Sequence, residues 1–406
     1  MWFKDRVTQS VQLRSDGHGG AKILLRPRRL LLLTLFVAAV FLALIYWSWI
    51  DAQARAVVVL SSILETPVLT LAVEVLTKEP QVEDTVVAGM PTLVAKPGGE
   101  GAWPALLFVN GTTPEGRELP EVKNLARGLA RAGYLVVVPD LPGLRTDEIT
   151  EESVSSTLEA THATADRPDA RDGRVGLIGI STGATLALLA AENPEAGERV
   201  SVVAGMAPYT DILTVLSIAT TGYYKKGESY VPYEADPFLS YAIARSLVAA
   251  LPSGEDRDNL RAELEEVNRL DPEPLARLRA RSADDLGPEA RSVVELLANE
   301  EEARFDVLYT ALPPEIRQRM DRLSPLAGTE KLAAPVELAS GPKDKYFPVS
   351  ESFALVRIAP QQRVTVTEAL GHSYLNPSLG DIPAFVSLDG FVVRSLREAR
   401  RTEPAG

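Results

Sequence analysis

From about residue 82 onward, short uninterrupted apolar runs alternate with stretches of helical periodicity. Val82–Ala88 and Thr92–Ala95, separated by Gly89-Met90-Pro91, predict an antiparallel pair. Ala105–Val109, Leu135–Val138, Val175–Ile178 and Val200–Ala204 have no polar face, the pattern of strands covered on both sides. Between them Glu121–Ala132, Ser153–Ala163 and Thr182–Ala191 read as helices. This alternation predicts an α/β fold, a mostly parallel central sheet with helices on both faces. Residues 210–322 break the rhythm. They show no strand pattern and are rich in Glu, Asp, Arg, Leu and Ala, so a helical cap insertion is expected there. Its charged helices from 254 onward read as a solvated face. The rhythm resumes with Pro335–Ser340 (strand), Val349–Ile358 (helix), Arg363–Glu368 (strand) and Ala384–Arg400 (helix). The core is thus expected at 82–209 and 323–400.

A different pattern precedes it. Leu30–Ile50 carries no charge, and its length at ~1.5 Å per residue matches a hydrocarbon thickness of ~30 Å. Lys22, Arg26, Arg28 and Arg29 crowd its near end, and Tyr46, Trp47 and Trp49 its far end. This predicts a single transmembrane signal anchor at 30–50. The basic tail 1–29 would be cytoplasmic and the main domain extracytoplasmic. The alternative is a cleaved signal peptide and a secreted protein, since Ala52-Gln53-Ala54 has the small-x-small form of a cleavage site. Residues 51–81 are apolar but interrupted by Glu65, Pro67 and Glu74. They are expected to form an amphipathic juxtamembrane segment lying on the membrane or on the domain.

Composition narrows the chemistry. With 42 Lys and Arg against 55 Asp and Glu the net charge is −13, which argues against a nucleic-acid partner. There are no cysteines, so disulfides, thiolate metal sites and a cysteine nucleophile are excluded. Only three histidines occur, His18, His162 and His372, too few for a multi-histidine metal site. No metal or cofactor is implied.

One stretch carries candidate chemistry. Gly179-Ile180-Ser181-Thr182-Gly183 stands where a predicted strand gives way to a predicted helix. A tight strand-to-helix turn holds its serine in an unfavourable backbone conformation, and flanking glycines relieve the crowding. The following helix N-terminus offers a positive field to a developing oxyanion. A serine hydroxyl needs an adjacent base. His18 precedes the membrane segment and His162 falls inside a predicted helix, which leaves His372, in a Gly-marked loop after a predicted strand. Asp344, in the loop after the preceding strand, is the candidate carboxylate to orient it, with Asp211 as the rival. All three would leave C-terminal strand ends on one rim of the sheet.

The order Ser181…Asp344…His372, with LLFVNGTTPEGRE, LVVVPDLPG, GLIGISTGA, LSPL, ASGPKDKYFPV and LGHS in succession, resembles the α/β-hydrolase family. The likeness is to its dienelactone-hydrolase-like and carboxylesterase-like branches, and covers about residues 82–209 and 323–398. The resemblance implies an oxyanion hole from the backbone N–H groups of Thr182 and Thr112, with Gly111 the next candidate. The family commonly has His-Gly at that loop, where this chain has Asn110-Gly111. Dienelactone hydrolases proper use cysteine, so their lactone activity is not implied. A serine hydrolase acting on a small-molecule carboxylic ester, with an apolar acyl part, is the expected function. A serine peptidase, a lipase or a thioesterase is the alternative within the fold, and a silent membrane-anchored scaffold the alternative outside enzymes. Tyr209, Tyr223, Tyr224, Tyr230, Tyr233 and Tyr241 cluster early in the insertion, as residues shaping an acyl pocket or as ordinary packing.

Overall fold

The computed structural model describes residues 46–64, 67–358, 361–372 and 381–401, with scattered positions between 31 and 41. It divides into a unit Met1–Asp51 and a unit Ala52–Gly406. Of the 21 residues of the expected span 30–50, ten lie outside the described residues. Among those described, no helix is long and apolar enough to cross a membrane.

The second unit is built on an eight-stranded sheet. Its strands are β1 (Gln81–Val87), β2 (Met90–Lys96), β3 (Trp103–Val109), β4 (Leu135–Pro139), β5 (Ala170–Ile180), β6 (Val200–Met206), β9 (Val336–Ser340) and β10 (Gln362–Val366). They lie in the order β1-β2-β4-β3-β5-β6-β9-β10. β1 and β2 pair antiparallel to each other, β2 antiparallel to β4, and every other neighbour is parallel. The expected sheet and its opening hairpin are both present. All five residues of β4 and of β9 are buried, as strands covered on both faces must be.

Alternate residues along each strand feed two apolar layers. Leu107, Val109, Val137, Leu177 and Val203 face one layer, which continues into the helices of the insertion. Leu106, Phe108, Val136, Val138 and Val202 face the other. That second layer is covered by α1 (Trp47–Leu64), α3 (Pro120–Arg131) and a long C-terminal helix, Ile382–Glu398. A further helix, α2 (Pro67–Leu76), follows α1. On the first face lie α4 (Glu151–Ala165) and α5 (Thr182–Ala191).

Residues 51–81 were expected to lie on the membrane or on the domain; Ala52, Ala56 and Val59 of α1 are buried in the second layer of the domain. Gln53 Nε2 donates to Asp389 of the C-terminal helix at 2.8 Å, and the Arg55 guanidinium donates to the carbonyl of Ala132. A Cβ on Gly128 of α3 would stand 2.7 Å from Cβ of Ser62, so glycine there lets α1 approach. The segment 210–322 is largely helical as expected, but it contains a hairpin, β7 (Tyr223–Lys226) with β8 (Ser229–Pro232). Nor are its charged helices merely solvated. Leu260, Leu264, Val293, Leu297 and Phe305 are buried and extend the first apolar layer.

Candidate active site

Ser181 ends β5 and caps α5, with φ 55° and ψ −129°. An L residue is strained at positive φ, and the surroundings hold it there. Its N–H donates to the carbonyl of Met206 at 2.8 Å, pinning the turn to the end of β6. The flanking glycines are required by contact. A Cβ on Gly179 would meet Cα of Ala184 at 2.4 Å, and one on Gly183 would meet the carbonyl oxygen of Val109 at 2.1 Å. The first turn of α5 therefore rests directly on the end of β3. Gly111, in the loop after β3, reaches over the serine, since a Cβ there would be 3.8 Å from Ser181 Oγ.

His372 and Asp344 arrive from the loops after β10 and β9. His372 Nε2 is 2.7 Å from Ser181 Oγ, and Nδ1 is 2.8 Å from Asp344 Oδ2. Asp344 Oδ1 accepts the backbone N–H groups of Tyr346 at 2.7 Å and Phe347 at 3.0 Å. The hydroxyl of Tyr233, from the insertion, donates to the Asp344 carbonyl at 2.5 Å. Gly341 makes the two loops compatible, because a Cβ there would be 2.3 Å from the carbonyl oxygen of Leu370. The imidazole is flanked by Tyr346 and Phe347, at 4.3 and 5.3 Å between ring centres. With both side chains nearly free of solvent contact, the pair is shielded from competing water.

The other candidates lie elsewhere. Asp211 is the N-cap of helix Ile212–Thr221, its Oδ1 accepting the N–H of Leu213 at 2.9 Å. His162 is half-buried within α4, and His18 lies outside the described residues. Thr112 and Thr182 both border a cavity of about 1070 Å³ that also reaches Ser181 and His372. Of the six tyrosines, Tyr209 alone lines that cavity. Tyr233 acts instead through its bond to the Asp344 loop, and Tyr224 packs edge-on against Tyr233. Among the described residues no cluster of acidic or histidine side chains could hold a metal ion.

One supporting residue had no sequence signal. Glu351 is buried, and its carboxylate accepts the N–H groups of Thr210 at 2.9 Å and Asp211 at 2.8 Å. It ties the loop after β6 to the helix following the Asp344 loop. Burial pushes its carboxyl up to about 7.

A parallel sheet, a strained serine turn and a histidine reached from a later strand define the α/β-hydrolase architecture. Residues 106–379 match the model of the alpha/beta hydrolase family, and the chain belongs to that family. No curated protein matches the sequence. Among solved structures, an acylaminoacyl peptidase from Pyrococcus horikoshii is 13% identical, with a TM-score of 0.42 over 78% of this chain. This chain spans 40% of that protein's length. Est1E from Butyrivibrio proteoclasticus is 13% identical, with a TM-score of 0.42, covering 78% of this chain and 99% of its own. A membrane phospholipase A described as a bacterial virulence factor is 17% identical, with a TM-score of 0.42, covering 91% of this chain and 99% of its own.

Proposed function

We propose that this chain is a serine hydrolase that cleaves a carboxylic ester through an acyl-enzyme intermediate. The observation that carries the reading is the unbroken line of contacts from Ser181 Oγ to His372 Nε2, 2.7 Å, and from Nδ1 to Asp344, 2.8 Å. In this reading His372 takes the hydroxyl proton as Ser181 attacks the acyl carbonyl. Asp344 holds the imidazole with Nδ1–H toward it and stabilises the imidazolium. The backbone N–H groups of Thr182 and Thr112 receive the oxyanion, helped by the positive end of α5. His372 then protonates the leaving alcohol, and water repeats the cycle to release the acid. The largely apolar lining of the cavity favours an ester with an apolar acyl part.

Residues 30–50 are proposed to anchor the protein in a membrane, with the catalytic unit outside the cytoplasm. Phe36, Phe41 and Trp47 are exposed by more than half, which suits lipid contact and would be costly in water.

The test is Ser181→Ala with a chromogenic butyrate ester and a fluorophosphonate probe. Turnover and labelling should both disappear. A variant that hydrolyses the ester as fast as the wild type overturns the reading.

A further inference from the structure

The cavity at Ser181 is lined by residues from both sides of the sheet, apolar at both ends, with two charged side chains under the insertion. Under the insertion it is bordered by Asp236 and by Arg269, whose guanidinium donates to Asp147 at 3.0 Å and stacks over Phe238 at 4.7 Å. The other end lies in the second apolar layer. There Ile178 and Ile180 of β5 face Leu60 and Ile63 of α1, with Leu388 and Phe391 of the C-terminal helix closing the side. Those six side chains are all hydrocarbon. Ile180 is the residue immediately before the serine, so this lobe begins at the nucleophile.

Resting on the serine-hydrolase reading, we infer that the substrate is a long-chain acyl ester whose chain occupies the lobe walled by α1. A hydrocarbon chain gains roughly 0.8 kcal/mol for each methylene removed from water, and the lobe lining is mostly hydrocarbon, with Glu121 and Ser395 its polar members. Asp236 and Arg269, under the insertion, face the alcohol portion. The assignment of acyl chain rather than alcohol follows from the order of events. The leaving alcohol must depart while the acyl group stays bonded to Ser181 Oγ, and the lobe between sheet and helices suits the arm that stays. α1 is thus a specificity-determining element. It is fixed on both flanks, by Gln53 to Asp389 and by Arg55 to the Ala132 carbonyl.

The experiment uses the full chain with Leu60→Trp and Ile63→Trp, each read with p-nitrophenyl butyrate and dodecanoate. Ile63 is partly exposed, 36%, so an indole there can be accommodated without disrupting the core. Filling the lobe should lower kcat/KM for dodecanoate by about tenfold or more and leave butyrate within about twofold. In the wild type, a dodecyl fluorophosphonate should label Ser181 about tenfold faster than an ethyl one, a measurement that needs no variant. Equal labelling rates, or equal losses on both esters in folded variants, overturn the lobe assignment. If butyrate turnover depends on Ser181 yet chain length is immaterial, the hydrolase reading stands and this one falls. If no ester is cleaved and no probe labels Ser181, both fall.

Discussion

The contact between β5 and α5 sets the position of the serine, and Gly179→Ala perturbs that contact directly. The added Cβ would meet three backbone atoms, Cα and N of Ala184 and the carbonyl oxygen of Gly183, at 2.4 to 2.5 Å. Ordinary contact begins near 3.4 Å, so strand and helix must part by about 1 Å, and no side-chain rotation can absorb it. Overpacking of this kind costs about 1–3 kcal/mol of stability. The larger consequence is for Ser181, two residues on, whose Oγ depends on the same turn for its 2.7 Å approach to His372. A displacement of about 1 Å in a reacting group can lower the rate roughly 100-fold. The variant should therefore fold with a lowered Tm and lose about two orders of magnitude in kcat on a butyrate ester. Labelling by a fluorophosphonate should slow in parallel. Gly254→Ala is the control, since its Cβ would meet nothing within 4 Å and its φ of 164° is extended. A Gly179→Ala protein with wild-type kcat and Tm would refute the argument that packing holds the serine turn.

Two further outcomes are expected. Burial raises the carboxyls of Glu351 and Glu192 to about 7 and about 8, above their ordinary 4.5. The folded state therefore holds more protons than the unfolded state between those values. The stability these groups contribute is complete below about pH 4.5 and is lost as pH rises through 7 to 8, at up to about 1.4 kcal/mol per pH unit for each. The Tm should fall between pH 5 and 8, and the Glu192→Gln/Glu351→Gln protein should fall less; equal slopes in the two proteins would contradict this. The anchor reading expects the full chain to stay with the membrane fraction through alkaline carbonate extraction and to keep its N-terminus. Release by carbonate, or a mature N-terminus just after Ala54, would replace the anchor with a cleaved signal.

What the sequence could and could not disclose follows from how many environments suit each pattern. A run such as Leu135–Val138 is apolar on both faces, and a strand inside a covered sheet accommodates it. It matches β4 to within one residue. The predicted helix Thr182–Ala191 coincides with α5, because a glycine-flanked turn leaves little choice about where a helix begins. Asp344 and Asp211 were chemically equivalent as carboxylates after strands. The difference lies in a local requirement, since the N-terminus of helix Ile212–Thr221 needs a cap and Asp211 supplies it. The β7–β8 hairpin was missed because its strands are short and half-exposed, with no apolar alternation. Its one signal was Gly227-Glu228 between Lys226 and Ser229, with Gly227 at φ 61°. In the charged helices of the insertion, the buried leucines at 260 and 264 sit one turn apart among acids and arginines, a stripe too narrow to outweigh the surrounding charge. α1 is the hardest case and the most instructive. Ala52, Ala56 and Val59 recur at helical spacing, but lipid and a protein interior accept small apolar side chains equally, so hydropathy cannot separate the two. The discriminating features lie in other parts of the chain. Gly128 lacks the Cβ that would strike Ser62, and Asp389 receives Gln53. Only tertiary structure brings those residues to α1, and with them the helix becomes a wall of the cavity that opens on the serine.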